Sequence, residues 1–188
     1  MLAPKSKADL AFTMHMLSWL STQGTAAIVE FPGVLYRGGA EQKIRKYLVD
    51  NNYIDAVFQL PPDLFFGTSI ATCIIVLKKS KKDNSILFID GSKEFVHEGN
   101  KNKLSDSNIK RLLQAYIDRK DEDHFTKVVR NEEILANDCN LSVSSYVEQE
   151  DTREEINIEE LNRSIAEIVA RQNVLRCEID KIVADLER

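Results

Sequence analysis

The sequence predicts an α/β fold that is followed by a long C-terminal coiled-coil helix. Short apolar stretches of strand length flank a helical stretch between residues 25 and 60, which is the order of a β-α-β unit. Between residues 158 and 186, apolar residues recur at alternating steps of three and four, as in a coiled coil. With 188 residues, of which 43% are hydrophobic, the chain is long enough for one core and a smaller appended element.

The first part of the chain alternates between helix and strand. We predict, in order, a helix, a strand, a helix and a strand at Asp9–Gln23, Thr25–Phe31, Ala40–Asn51 and Ile54–Leu60. A crossover helix between two strands predicts that the strands form a right-handed parallel pair. The apolar character of the first strand predicts that it is covered on both faces.

Two further strands and a helix follow. The β-branched stretch Ile70–Leu77 predicts a third strand, and its connection through a loop predicts antiparallel pairing with its neighbours. Ile86–Asp90 predicts a fourth strand, and the lysines at residues 78–82 are interpreted as a solvated turn between the two. A helix capped by Ser105 or Asp106 is predicted to end at Arg119. Residues 131–146 show no periodic pattern.

The final segment carries the clearest pattern in the chain. Its apolar seam consists of Ile158, Leu161, Ile165, Ile168, Gln172, Leu175, Ile179, Ile182 and Leu186. The strict period favours packing against another long helix over folding back onto the chain's own domain, which is the alternative. Because the sequence contains no second heptad segment, the partner helix is expected from another polypeptide or from a second copy. Gln172 is expected to fix the register at some cost in stability.

The chain is therefore divided into a sheet portion at residues 1–91, a mostly helical or irregular extension at 92–150 and the long helix at 151–188. The net charge is −5, but 10 acidic and 6 basic residues lie in the last of these segments. The body keeps 20 acidic and 19 basic residues, so it is nearly neutral and is not an autonomous DNA-binding domain.

Composition also excludes several classes of protein. Cys73, Cys139 and Cys177 are widely spaced and form no CxxC pair, and the three histidines lack metal-ligand spacing. We therefore predict neither a disulfide framework nor a metal site. The sequence has no apolar run of about eighteen residues and no signal-peptide pattern at its start, so no membrane association and a cytoplasmic location are expected.

Two loops are predicted to converge at the carboxyl ends of the strands, where open α/β sheets bind ligands. The candidate site residues on these loops are Pro32, Gly33, Tyr36, Arg37, Phe65, Phe66 and Gly67. The two phenylalanines either pack against a flat ligand, such as a base removed from its stack, or close the core beneath the loop. For Tyr36 and Arg37, a structural role at the start of the second helix is favoured.

A set of short stretches together resembles one known family, although each stretch alone is a weak signal. The stretches are Lys7–Phe12, His15–Leu17, Gly24–Val29, Gly33–Glu41, Ile44-Arg45, Ile54–Val57, Leu60-Pro61, Leu64–Ile70, Thr72–Ile74, Leu77–Lys79, Phe88–Asp90, Asn137–Leu141 and Tyr146-Val147. They resemble the modification subunit of type I restriction enzymes, which is an adenine-specific DNA methyltransferase. The resemblance runs from about Lys7 to Val147.

The resemblance implies a Rossmann-like sheet of an S-adenosylmethionine-dependent methyltransferase, of which this chain has the C-terminal part. In that family, an Asn-Pro-Pro-Phe motif holds the flipped adenine, whose amine attacks the methyl group of the cofactor. Leu60-Pro61-Pro62-Asp63 lacks the polar residue before and the aromatic residue after the prolines of that motif. The motif and the cofactor site are expected upstream of Met1. No catalytic residue, no bound cofactor and no activity of the chain alone are therefore expected.

The resemblance also implies roles for the candidate residues and partners. Phe65 or Phe66 would form a wall of the adenine pocket, and residues 32–39 would line the side of the site that faces the substrate. The expected partners are DNA, a specificity subunit that packs with the C-terminal helix and, through it, a restriction subunit. One alternative is a non-enzymatic module that binds a helical partner. An unrelated nucleotide-binding α/β protein is disfavoured because the sequence has no phosphate-binding loop.

Overall fold

The computed structural model describes residues 3–4, 6–149 and 158–186. The chain divides into two units, at residues 1–150 and 151–188. The first unit contains a β-sheet with helices on both faces, and the described part of the second unit is one helix.

The described helices of the first unit are α1 (Asp9–Trp19), α2 (Ala40–Asp50), α3 (Asp106–Asp118) and α4 (Asn131–Ala136). The described strands are β1 (Thr25–Glu30), β2 (Ile54–Gln59), β3 (Cys73–Lys78), β4 (Ser85–Asp90), β5 (Val96–Glu98), β6 (Lys101–Lys103) and β7 (Thr126–Arg130). Short 3-10 turns lie at Pro32–Leu35 and Val143–Ser145. Five strands form a mixed sheet in the order β1-β3-β2-β4-β7, and β5 and β6 form a separate hairpin.

The third strand lies between the first two, so these are parallel as predicted but are not hydrogen-bonded to each other. β3 pairs antiparallel with β1, where Ile28 faces Ile75, and antiparallel with β2, where Val57 faces Ile75. β1 and β2 are therefore parallel to each other but separated by one strand. In this central position both edges of the apolar β3 find hydrogen-bonding partners. The antiparallel prediction for the third strand is confirmed, and the parallel neighbour of β2 is β4.

β1 lies at an edge of the described sheet, and the prediction that it is covered on both faces is wrong for these residues. Its residues alternate between exposed and half-buried until Glu30, which is buried. Ala26 and Ile28 pack against the core beneath α1, whereas Val29 is exposed. This alternation is what a strand with one packed face shows.

Apolar side chains are buried on both faces of the sheet. Leu10 of α1 and Leu48 of α2 belong to the cluster on one face, and Leu112 of α3 belongs to the cluster on the other. The neighbouring strand residues Leu87 and Phe88 belong to opposite clusters, because successive side chains of a strand point to opposite faces. The predicted α/β class is confirmed at this level.

The helix ends have local causes. α1 ends at Trp19, earlier than predicted, because Leu20 is extended and its carbonyl accepts a hydrogen bond from Lys79 Nζ at 2.6 Å. α3 begins with a capping box, in which Ser105 accepts from the backbone N–H of Asn108 and the Asn108 side chain accepts from the backbone N–H of Ser105. Of the two predicted caps, Ser105 is the one that the structure uses.

Residues 92–149 contain elements that the sequence pattern did not predict. β7 adds to the sheet antiparallel to β4, and α4 follows it directly. The hairpin of β5 and β6 stands outside the main sheet. β5, β6 and β7 are short and contain many polar residues, so none of them shows the apolar alternation that identifies a strand in a sequence.

The second unit is represented by α5 (Ile158–Leu186), so the predicted long helix is confirmed. Its described seam side chains are 48 to 70% exposed, namely Ile158, Leu161, Ile165, Ile168, Leu175, Ile179 and Ile182. The side chain of Leu186 lies outside the described residues. The coiled-coil pairing of this helix stays a prediction. Within the described ranges, no helix combines the length and apolar character that a membrane span requires.

Candidate functional site

The ends of β1 and β2 meet the beginning of β3 at one edge of the sheet. Glu30 at the end of β1 and Gln59 at the end of β2 both face Cys73, the first residue of β3. The loop that leaves β2, residues 60–72, therefore returns to the edge from which it came. This geometry places the aromatic residues of that loop near the end of β1.

An open cleft of about 340 Å³ lies at this edge. It is lined by Asp9, Val29, Glu30, Phe31, Phe65, Thr68 and Thr72. Phe31 and Phe65 are 46% and 42% exposed, so both keep accessible ring surface beside the cleft. Of the seven candidate residues, the structure brings only Phe65 into this cleft.

Phe66 and Gly67 lie at the tip of the same loop. The Phe66 side chain is completely exposed, and neither phenylalanine belongs to the core clusters beneath the sheet. Gly67 has a φ of +81°, a conformation that a side chain would strain, and the space where its Cβ would point is empty. These observations contradict the alternative in which Phe65 and Phe66 close the core.

The candidate residues on the other loop lie outside this cleft. Pro32 and Gly33 begin the 3-10 turn, and Tyr36 is exposed just after it. The Arg37 guanidinium approaches Gly33 so closely that a Cβ there would lie 2.4 Å from Arg37 Cζ. Arg37 also pairs with Glu41 of α2, with 3.6 Å between Nη1 and Oε1. These contacts are those expected of a structural role for Arg37 at the start of α2.

Two residues that line the cleft, Glu30 and Thr72, have buried polar side chains. Thr13 of α1 donates from Oγ1 to Glu30 Oε1 at 3.0 Å, and both residues are buried. Burial raises the pKa of the Glu30 carboxyl, with Asp9 adding to the rise and the bond from Thr13 opposing it. The Thr72 hydroxyl is buried and has no hydrogen-bond partner among the residues that the structure describes. An unpartnered buried hydroxyl beside a cleft is available to a ligand.

The thiol of Cys73 lies next to Glu30. Its Sγ donates to the Glu30 carbonyl at 3.3 Å, and the residue has no exposed surface. Burial, together with the nearby Glu30 carboxylate, raises the pKa of the Cys73 thiol to about 12. Cys73 is therefore a neutral core residue and not an activated nucleophile.

Sequence reasoning did not select Asp9, Glu30, Phe31 or Thr72 as site residues. Glu30 and Phe31 sit at the carboxyl end of β1, so their position at a strand end was the available signal. Thr72 gives no such signal, because only the return of β3 beside β1 brings it to the cleft.

The connection between β1 and α2 does not fit a site for S-adenosylmethionine. The glycine-bearing connection from strand to helix is at residues 33–39, and the Arg37 side chain fills the space that Gly33 leaves open. A glycine that admits a cofactor to a helix N-terminus needs that space free. Among the described residues, no group of three or more His, Cys, Asp and Glu side chains could hold a metal ion.

Comparison with known proteins identifies the family. The model of the N-6 DNA methylase family matches residues 1–155, which is most of the chain. This chain belongs to the N-6 DNA methylase family. The relationship to methylase subunits that the sequence stretches indicated is thereby confirmed.

Individual relatives of this chain are methylase subunits of type I restriction enzymes. The MpnII methylase subunit of Mycoplasma pneumoniae is 52% identical over 99% of this chain and 34% of its own length. The MjaVIII methylase subunit of Methanocaldococcus jannaschii is 38% identical over 95% of this chain and 32% of its own length. The chain thus spans about a third of the length of these curated relatives.

A solved structure shows the same fold. The methyltransferase subunit of a type I restriction-modification system from Streptococcus thermophilus superimposes with a TM-score of 0.77 and 47% sequence identity. The match covers 78% of the present chain and 32% of the Streptococcus thermophilus chain. The mixed sheet with its inserted antiparallel strand is therefore the arrangement of a methyltransferase subunit.

Proposed function

We propose that this chain acts as part of a type I restriction-modification methylase subunit, which methylates the exocyclic amine of adenine in DNA. The observation that carries the proposal is the cleft between Phe31 and Phe65 at the sheet edge, in a chain of the N-6 DNA methylase family. In this proposal the cleft forms one wall of the pocket for the target adenine.

The composition of the cleft suits a base removed from a duplex. Such a base is unstacked, so it regains stability when flat apolar groups cover its faces. Phe31 and Phe65 offer partly exposed rings on the two loops that border the cleft. The Thr72 hydroxyl offers an unused hydrogen-bonding group beside them, which suits the polar edge of a base. Phe66, fully exposed at the loop tip, is positioned to meet DNA next to the flipped nucleotide.

The cofactor and the catalytic motif belong elsewhere in this proposal. S-adenosylmethionine supplies the methyl group in adenine methyltransferases, but the connection between β1 and α2 does not fit its site. The chain alone is therefore expected to transfer no methyl group. Its contribution is to cover the adenine and to connect the methylase to its partner.

We assign the connecting role to α5. Its described apolar seam side chains are exposed, as are Val169 and Val183 beside them. An exposed apolar seam of this regular period suits packing against the long helices of a partner. The proposed partner is the specificity subunit, through which a restriction subunit joins the assembly. The second candidate function is that of an assembly module alone, which α5 would serve without the cleft.

The test of the pocket is a kinetic measurement on the complete methylase subunit assembled with a specificity subunit. Phe65→Ala is expected to reduce kcat/KM for adenine methylation by about ten- to a hundredfold, since stacking on an aromatic ring contributes about 1–3 kcal/mol per base. Trp19→Ala is the control, because Trp19 is an exposed aromatic residue of α1 that does not line the cleft. Equal loss in both variants, or none in either, would favour the assembly module.

A further inference from the structure

The hairpin of β5 and β6 contacts the loop that carries Phe65 and Phe66. We define the aromatic loop as residues 61–69. The two hairpin strands pair only with each other among the described strands, with His97 facing Asn102. Outside the hairpin, β6 contacts the aromatic loop.

Asn102 makes the main contact. Its side-chain Nδ2 donates to the Pro62 carbonyl at 2.9 Å, and its backbone N–H donates to the Asp63 carbonyl at 3.1 Å. The residue is 8% exposed, while its neighbour Lys103 is exposed. A buried residue that donates from its side chain to one carbonyl and from its backbone to the next holds the backbone of the loop in one orientation.

Lys101 spans the loop beside Asn102. Its Nζ lies 3.5 Å from Asp63 Oδ1 and 3.4 Å from the Thr68 carbonyl. One ammonium group therefore contacts both the beginning and the end of the aromatic loop. Because the Lys101 and Asp63 side chains are each about 40% exposed, we assign this contact a smaller contribution than the buried amide of Asn102.

The aromatic loop needs such external support. Its residues form no helix or strand, and Asp63 adopts a φ of +57°, which is uncommon for a residue with a side chain. Phe66 has no buried surface to hold it in place. The position of the phenylalanines therefore depends on the backbone that carries them, and Asn102 fixes that backbone just before they begin.

We infer that Asn102 is a positioning residue for the aromatic loop, with Lys101 as its accessory. This inference rests on the proposed function, because the loop is the one that would cover the target adenine. Asn102 touches neither substrate nor cofactor in this account. It acts by holding Phe65 at the cleft before the base arrives.

The first measurement is amide hydrogen exchange at the contact between the hairpin and the aromatic loop, in the full chain. Asn102→Asp preserves the size of the side chain but cannot donate to the Pro62 carbonyl. We expect the backbone N–H of residue 102, which donates to the Asp63 carbonyl, to lose about tenfold in protection from exchange in this variant. Lys103→Ala is the matched control, since Lys103 pairs with Glu98 within the hairpin. Unchanged exchange in Asn102→Asp would overturn the inference, whatever the function of the chain.

The second measurement is a double-mutant cycle on adenine methylation by the assembled complex. Asn102→Ala is expected to lower kcat/KM in the native background and to have no further effect once Phe65 is alanine. A general loss of folding would instead lower activity in both backgrounds, which would overturn the positioning role. If Phe65→Ala itself leaves methylation unchanged while the N–H of residue 102 loses protection in Asn102→Asp, the proposed function fails and the anchoring by Asn102 stands.

Discussion

The guanidinium of Arg45 donates from Nε to the backbone carbonyl of Cys139 at 2.8 Å, which joins α2 to a segment that is 94 residues distant in sequence. Its Nη1 also donates to the carbonyl of Val34 at 2.9 Å, in the turn that follows β1. The Leu141 N–H donates to the Leu35 carbonyl at 2.9 Å in the same region. A single buried side chain thus connects the site-bearing edge of the sheet with the end of the first unit.

We predict that Arg45→Ala destabilises the chain strongly. The substitution leaves two buried carbonyls without a donor and opens a cavity, which together cost about 2–4 kcal/mol. Arg45→Lys is expected to recover only part of this loss, because an ammonium group cannot reproduce the two divergent donors. Urea unfolding measures the effect. Lys46→Ala, which removes an exposed pair with Asp50, should change the unfolding free energy by less than about 0.5 kcal/mol.

The buried thiol of Cys73 predicts a loss of stability in alkaline solution. Its pKa is raised from 9.0 to about 12 in the folded state, mainly by burial. The folded chain therefore keeps a proton that the unfolded chain releases, so the associated stability is complete below pH 9 and is lost as the pH rises towards 12. Unfolding free energies across this range should fall less steeply in Cys73→Ala. In Cys177→Ala, which removes an exposed cysteine, the slope should match that of the native chain.

Glu30→Gln is predicted to stabilise the chain at neutral pH. Burial raises the pKa of the Glu30 carboxyl, so keeping it ionised at pH 7 costs folding free energy. The amide oxygen of Gln can still accept the hydrogen bond from Thr13 without a charge. Since the pKa is raised above its usual 4.5, the difference between the two proteins should vanish below that pH and grow as the pH rises. Lower stability of Glu30→Gln at pH 7 would show that the charge is compensated.

The alternation of elements could be predicted from the sequence, whereas the order of the strands could not. β-branched residues at Ile70–Leu77 identify a strand, and the loop before it implies an antiparallel direction. Its position between β1 and β2 depends on which strand edges have unpaired backbone groups, and no local sequence pattern indicates this. The same position brings Thr72 to the cleft, so this part of the candidate site was also hidden.

The aromatic loop was recognisable because Phe65 and Phe66 stand beside Gly67 in a turn-like stretch. Its support was not recognisable. Asn102 lies in a hairpin of mostly polar residues, and its burial follows from two hydrogen bonds to carbonyls rather than from apolar character. Sequence periodicity indicates only the burial of apolar side chains, so it could not predict that this amide is buried.

The seam of α5 predicts a specific sensitivity to charge. Ile168→Asp and Ile179→Asp each place a carboxylate on the exposed apolar stripe, and we expect either to abolish co-elution with a specificity subunit. Ala170→Asp adds the same charge on the face away from the seam and should leave the complex intact. Light scattering of the separate chain distinguishes loss of this complex from loss of self-association. If the seam variants and the control bind equally well, α5 is not the docking helix.

The central claim is that the sheet edge of this chain covers the target base. Photochemical cross-linking tests it most directly, with a DNA duplex that carries iodouracil in place of the target adenine and with the complete methylase assembly. We predict that the cross-linked peptide contains Phe65 or Phe31, and that Phe65→Ala reduces the yield while Trp19→Ala does not. Cross-links confined to other polypeptides of the assembly, with none to residues 29–31 or 61–72 of this chain, would contradict the account.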